Sequence, residues 1–289
     1  MDRPAGFTVT PLSPVLGAEV GGLDLGEVLP QSTIDGLLEA WREHIVLVFR
    51  DQTLSDDDQL RFAARFGEIG ARKQAPERLR SRVEGVEQTH PDILLVSNKI
   101  VDGEPAGAFG DGEFWFHIDS GYAERPYKYT FLYGTELPSV GGDTLFANMY
   151  DAYDALDDAT KQKLAGRKAL HIHEYKRSEE VNISGDIGDS PHHFHPVFVT
   201  HPETGRKSLF VDRLMTRRIE GLGEEDSAAT LARLFDHSER PEFVYAHEWQ
   251  LGDFVMWDNR CAIHGRTWFP ENETRMLRRC TVEGGALVE

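Results

Sequence analysis

The chain has 289 residues, 40% hydrophobic and 10% aromatic, with 49 acidic against 31 basic side chains and a formal net charge of −18. That much apolar material suffices for one large core or two modest ones, and one domain over 1–289 with elaborations is the expectation. So negative a surface repels phosphate backbones and anionic lipids, which argues against nucleic acid and membrane as partners. Arginines inside a pocket could still receive a small anion, because salt screens the distant charge over roughly 8 Å.

In chain order, residues 6–23 read as two short strands, and Ser32 then opens an amphipathic helix through Leu37, Leu38 and Trp41. A buried strand follows at 45–49. Ser55 with Asp58 forms a capping box for a second helix, whose Leu60, Phe62, Ala63 and Phe66 recur at helical spacing. The polar, irregular stretch that follows reads as a long surface loop, and either a lid or a disordered segment is expected over 70–92. From Ile93 onward the chain is mainly short strands punctuated by Gly, Pro and Asp: 93–97, 114–119, 129–135, 144–147, 169–173, 197–200, 208–211, 243–248, 254–257 and 275–282. The stretch 200–207 reads as a hairpin turn. Many short strands with few long helices predict a mainly β fold with peripheral helices (α+β), a double-sheet barrel or jelly roll.

Cys261 and Cys280 are too few for a disulfide scaffold or a thiolate cluster and fit a reducing compartment. Residues 1–14 lack the basic region and apolar run of a signal peptide, and no apolar stretch approaches the roughly 18 residues of a membrane span. A cytoplasmic protein is expected, and a homo-oligomer is compatible with the sequence.

The strongest chemical signal is Trp115-Phe116-His117-Ile118-Asp119-Ser120. Residues two apart on a strand share a face, so His117 and Asp119 would point together into the barrel. One imidazole and one carboxylate supply two of the three ligands of a facial triad, and His264 is the best candidate for the third. A lone H-x-D tripeptide often binds nothing. Here, however, Phe114, Trp115 and Phe116 lead into a dry interior, where two unpartnered polar groups would be costly. Rival histidines are His171 with His173, also two apart on an expected strand but without a matched acid, and His192, His193 and His195, read as a surface or lid cluster.

Beyond His264, strand alternation places Arg275, Leu277, Arg279 and Thr281 on one face. A buried arginine needs a counter-anion. The two guanidiniums would either fork onto a ligand carboxylate or pair with Asp or Glu on a neighbouring strand.

Together these residues resemble the taurine dioxygenase / 2,4-dichlorophenoxyacetate dioxygenase (TauD/TfdA) family of Fe(II)/2-oxoglutarate oxygenases. The resemblance runs from Gly17-Ala18-Glu19-Val20 to the C-terminal arginine strand. Its most specific pieces are His117 with Asp119, the Gly141-Gly142-Asp143-Thr144 passage, the His201-to-Lys207 turn, and Trp257-Asp258-Asn259-Arg260 leading to His264. It implies a double-stranded β-helix in which His117, Asp119 and His264 ligate Fe(II) as the catalytic centre. It also implies that Arg275 and the Thr144 hydroxyl hold 2-oxoglutarate, that Trp257 packs beside the metal and co-substrate, that Arg279 holds the acidic group of the substrate, and that Phe210 lines the substrate pocket. O₂ would be the second co-substrate and a small organic anion the partner molecule. Asp119 favours oxygenation over halogenation, since halogenases of this superfamily lack that carboxylate. Three departures leave the substrate unnamed: Gly265 replaces a usually larger residue, Val199 stands where arginine is frequent, and the region of Arg72 and Lys73 offers no histidine.

Overall fold

The computed structural model describes residues 6–70, 90–110, 112–173, 187 and 190–289. The expected lid therefore lies, except at its ends, outside the described residues, as do Arg72 and Lys73.

Among the described residues the largest sheet has eight strands, in the order Thr8–Pro11, Ala18–Gly21, Val46–Phe49, Phe254–Asp258, Tyr129–Glu136, Met276–Val282, Leu94–Ser97 and Ala108–Phe109. A second sheet has four: Val244–His247, Thr144–Asn148, Ala262–Arg266 and Phe114–His117. The period-2 alternation explains how the two sheets stack. Leu47, Phe49, Phe131, Tyr133, Phe254 and Met256 point from the large sheet into one core, whereas Val46, Val48, Leu132, Val255 and Trp257 point into another, shared with Phe146 and Ala262 of the small sheet. Central strands buried on both faces read as unbroken apolar runs, which is why Val46–Phe49 and Phe254–Asp258 look as they do in sequence.

The outer face of the large sheet is covered by the helices Gln31–His44 and Asp56–Ala63. The first starts just ahead of Ser32, because the carbonyl of Pro30 accepts the opening bonds from Thr33 and Ile34. Its Trp41 stacks on Tyr129 with ring centroids 4.0 Å apart. The second carries the expected capping box: Ser55 Oγ accepts from the Asp58 N–H at 3.1 Å and the Asp58 carboxylate accepts from the Ser55 N–H at 3.0 Å.

Parts of the fold differ from expectation. The run around His192 is the strand His192–Pro196, paired antiparallel with Lys168–Ile172, and its His195 is buried, with Nε2 2.9 Å from the Ala123 carbonyl. The helix Glu224–Ser238 was not foreseen, because Ser227 and Thr230 lie within its buried stripe and interrupt the apolar spacing. The hairpin is as read, with Phe198–Thr200 pairing Lys207–Leu209.

A buried ionic network ties this hairpin to the end of the strand Phe254–Asp258. Arg260 forks onto Asp258 at 2.9 and 2.6 Å and reaches Glu203 at 2.6 Å, while His201 Nε2 lies 3.1 Å from Asp258 Oδ2. Burial alone would raise the Asp258 pKa, but the charge and hydrogen bonds of Arg260, followed by those of His201, outweigh it and hold the carboxyl well below its ordinary range. A depressed carboxyl pKa stabilises the fold above the unfolded value near pH 4 and ceases to do so as acid protonates the group. Asp258→Asn, which leaves Arg260 buried without its forked partner, is expected to cost about 3–5 kcal/mol in denaturant unfolding at pH 7 and to flatten the acid limb of the stability profile.

Candidate metal centre

His117 ends the strand Phe114–His117, and Asp119 lies in the turn beyond it rather than on the strand as predicted. That turn is closed by the Gly121 N–H donating to the Ile118 carbonyl at 3.0 Å, with Ser120 at φ +55°. The two side chains still converge, with His117 Nε2 4.0 Å from Asp119 Oδ1. His264 lies at the centre of Ala262–Arg266, directly opposite His117 in the antiparallel ladder. The two imidazole centroids are 4.1 Å apart, and His264 Nε2 is 3.9 Å from Asp119 Oδ2.

All three residues are buried. Separations of 3.9 to 4.0 Å are too long for hydrogen bonds. They leave a shared gap between the three side chains, and an ion with cis bonds of roughly 2.0–2.2 Å would draw the donor atoms in to about 3 Å of one another. Burial first, against the opposing pull of Asp119, lowers the pKa of His117, and burial followed by the His117 charge takes that of His264 far below its usual value, so both rings keep a lone pair at neutral pH. His117 Nδ1 lies 3.0 Å from the Trp115 carbonyl, which fixes that nitrogen as the donor and leaves Nε2 as the ligand atom. Burial would raise the Asp119 pKa, yet Arg279 and then the two histidines bring it down to about 2. With both imidazoles neutral, Arg279 is the charge that acts at pH 7.

Thr130 and Asn259, to which the sequence reading gave no role, join Trp257 in orienting the carboxylate. Trp257 Nε1 donates to Asn259 Oδ1 at 2.9 Å, Asn259 Nδ2 donates to Thr130 Oγ1 at 2.8 Å, and Thr130 Oγ1 donates to Asp119 Oδ2 at 2.7 Å. Trp257 also packs 4.6 Å from the His264 ring. The sequence signal for this relay was the passage holding Trp257 and Asn259 and leading to His264; Thr130 carried none.

A cavity of about 50 Å³ opens on the cluster, and its walls include His117, His264, Trp257, Thr144, Arg275 and Arg279. Arg275 is buried, with Nε donating to the Gly142 carbonyl at 2.8 Å and Nη2 to Thr144 Oγ1 at 3.4 Å. Among the described residues no carboxylate forms an ion pair with it, and burial followed by the charge of Arg266 pushes its pKa down to about 9. Arg279 takes the alternative left open for it: its Nη1 donates to Asp119 Oδ1 at 2.7 Å. Phe210 is not among the cavity's lining residues but sits in a core, 5.5 Å from the rings of His171 and His195. His171 meets Thr216 and, at 3.6 Å, Asp212.

A second group, His201, Asp258 and Cys261, is also compact enough for an ion. Asp258 is already engaged by Arg260, however, and burial raises the Cys261 thiol pKa far above its ordinary value, which withholds the thiolate a metal requires. A larger surface cleft of about 440 Å³, beside Leu156 and Leu234, includes Lys163 and Arg240, which pair with Asp226 and Glu242. Among the described residues it holds no comparable cluster of metal-ligating side chains.

Two imidazoles and one carboxylate around a shared gap, with open space beside them, is the donor set that suits non-haem iron oxygenases. Residues 8–281 match the family described as "Taurine catabolism dioxygenase TauD, TfdA family". The chain is 33% identical to pentalenolactone F synthase of Streptomyces avermitilis, over 96% of this chain and 94% of that protein. It is likewise 33% identical to the alpha-ketoglutarate-dependent 2,4-dichlorophenoxyacetate dioxygenase of Cupriavidus pinatubonensis, over 96% and 98%. Among solved structures, that of AAD-2 in complex with Mn(II) and N-oxalylglycine superposes with a TM-score of 0.80 at 29% identity, covering 98% of this chain and 99% of the other. The chain belongs to the TauD/TfdA family and is a 2-oxoglutarate-dependent dioxygenase. Its fold is mostly β with few helices, and no helix among the described residues is long and apolar enough to cross a membrane.

Proposed function

We propose that this single-domain protein, a double-stranded β-helix acting in the cytoplasm, uses Fe(II), 2-oxoglutarate and O₂ to hydroxylate a small organic anion such as a sulfonate, an aryloxy acid or another carboxylate, with release of succinate and CO₂. The observation that carries this reading is Arg275, a buried guanidinium without an ion-pair partner among the described residues, in the same cavity as three converging metal-ligand side chains.

His117, Asp119 and His264 hold the metal through Nε2, a carboxylate oxygen and Nε2. The bound metal supplies oxygen activation, driven by oxidative decarboxylation of the 2-oxo acid. Arg275 forks onto the far carboxylate of 2-oxoglutarate, and Thr144, oriented by the Trp249 N–H at 3.0 Å, completes that grip. Trp257 keeps water from the His264 side of the site. Arg279 has one Nη on Asp119 and further donors with which to orient the substrate's acid group. N-oxalylglycine, held by the related structure, is the amide analogue of 2-oxoglutarate and supports this assignment of the cavity.

The test is anaerobic addition of Fe(II) and 2-oxoglutarate, which should produce a weak visible charge-transfer band, followed by a screen of organic anions for succinate formed in step with O₂ consumed. Absence of the band and of 2-oxoglutarate-dependent O₂ uptake would refute the reading. A second outcome on the same site is desaturation or ring formation. Product mass separates them: one oxygen atom gained, or two hydrogens lost.

Gly142 provides a local check. It sits at φ +71°, and a Cβ there would lie 3.0 and 3.1 Å from Arg275 Cδ and Nε. Gly142→Ala should therefore displace Arg275 and strain the turn by about 1–3 kcal/mol, seen as a lower thermal midpoint with weakened 2-oxoglutarate binding.

A further inference from the structure

Away from the metal and Arg275, the cavity is walled by Val96, Leu132, Phe114 and Phe109. Phe109 is unusual in three ways. It is a non-glycine residue at φ +70°, it is 38% exposed although aromatic, and its ring lies 5.6 Å from the Arg279 guanidinium and 5.4 Å, edge to face, from Phe114. A bulky side chain in that backbone region is held only where its surroundings impose it, and such outliers gather at ligand sites. Two constraints impose it here. Ala108–Phe109 pairs in parallel with Leu94–Ser97, and Arg266 donates to the Phe109 carbonyl at 3.1 Å and twice to the Gly112 carbonyl, at 3.0 and 2.8 Å.

At about 50 Å³ the cavity is far below the roughly 300 Å³ and more of typical ligand sites. Room must be made for a second molecule beside 2-oxoglutarate, and Phe109 is the exposed side chain among those lining the space. We propose that Phe109 determines substrate specificity: its ring receives the apolar body of the substrate, so that the enzyme selects ring-bearing organic anions without an ammonium group. This rests on the function proposed above and narrows its substrate class. An aromatic body gains edge-to-face or offset contact with Phe109 and Phe114 beyond simple burial, and its acid group meets Arg279 beside them. An ammonium would lie near the Arg279 charge and against carbon walls, where it loses its water.

The experiment is anaerobic calorimetry on the full chain loaded with Mn(II) and 2-oxoglutarate, titrated with 3-phenylpropanoate, hexanoate and phenylalanine. The wild type should bind 3-phenylpropanoate about tenfold more tightly than either of the others. Phe109→Ala and Phe109→Leu should each reduce that preference to about twofold or less, and Phe109→Tyr should restore it. If the wild type fails to bind 2-oxoglutarate, the dioxygenase reading falls and takes this proposal with it. If 2-oxoglutarate binds but hexanoate or phenylalanine is preferred, no acid binds, or both truncations keep the wild-type ratio, the proposal alone is overturned.

Discussion

His264→Ala is expected to lose its metal and all 2-oxoglutarate-dependent O₂ uptake while remaining folded. The imidazole is one of three donors, and loss of even an outer partner of a metal ligand typically costs 10–100-fold in affinity. Loss of the ligand itself should weaken Mn(II) binding by more than about a hundredfold, read by titration against the free-ion electron paramagnetic resonance signal. The fold survives because His264 is held mainly by backbone pairing, to Thr144–Asn148 on one side and Phe114–His117 on the other, which alanine preserves. A variant that unfolds is distinguished by its thermal transition. One that keeps wild-type Mn(II) affinity removes His264 from the centre.

Arg275→Met is expected to separate stability from function. A buried cation with a depressed pKa costs stability wherever it stays charged in the fold; for Arg275 that cost is full below about pH 9 and fades as pH rises towards its unfolded value. Methionine removes the charge and keeps much of the volume, at the expense of the Nε hydrogen bond to Gly142. Ligand-free Arg275→Met should therefore melt at or above the wild-type temperature, by up to roughly 2–4 °C per kcal/mol recovered. Its affinity for 2-oxoglutarate should meanwhile fall by a hundredfold or more, because two charge-assisted hydrogen bonds of about 1.5–3 kcal/mol each are lost. 2-Oxoglutarate should raise the thermal midpoint of the wild type and leave that of the variant unchanged. A variant that 2-oxoglutarate stabilises as much as the wild type would assign the co-substrate carboxylate elsewhere.

The sequence made some of this architecture readable and hid the rest, for physical reasons. Strands such as Val46–Phe49 and Phe254–Asp258 are buried on both faces and announce themselves as apolar runs, and the Ser55 capping box is a local pattern with a local cause. His117 and Asp119 were paired by assuming strand alternation through Asp119. Their convergence is real, but a turn delivers the carboxylate. The strand carrying His264 was not recognised, because Ala262–Arg266 is short and contains Gly265. A Cβ on Gly265 would come within 3.0 Å of the Phe114 carbonyl, a constraint set by the neighbouring strand alone. The relay from Trp257 through Asn259 and Thr130 to Asp119 joins distant parts of the chain that no spacing rule links. Arg279 shows the limit most clearly. Alternation placed it facing inward, yet only the folded chain shows its Nη1 bonded to the metal-site carboxylate.

The most direct test is a crystal structure of the protein grown anaerobically with Mn(II) and 2-oxoglutarate. The metal should lie roughly 2.0–2.2 Å from His117 Nε2, an Asp119 oxygen and His264 Nε2, with the far carboxylate of 2-oxoglutarate on Arg275. Mn(II) bound instead at His201, Asp258 and Cys261, or among His171, His193 and His195, would contradict the account.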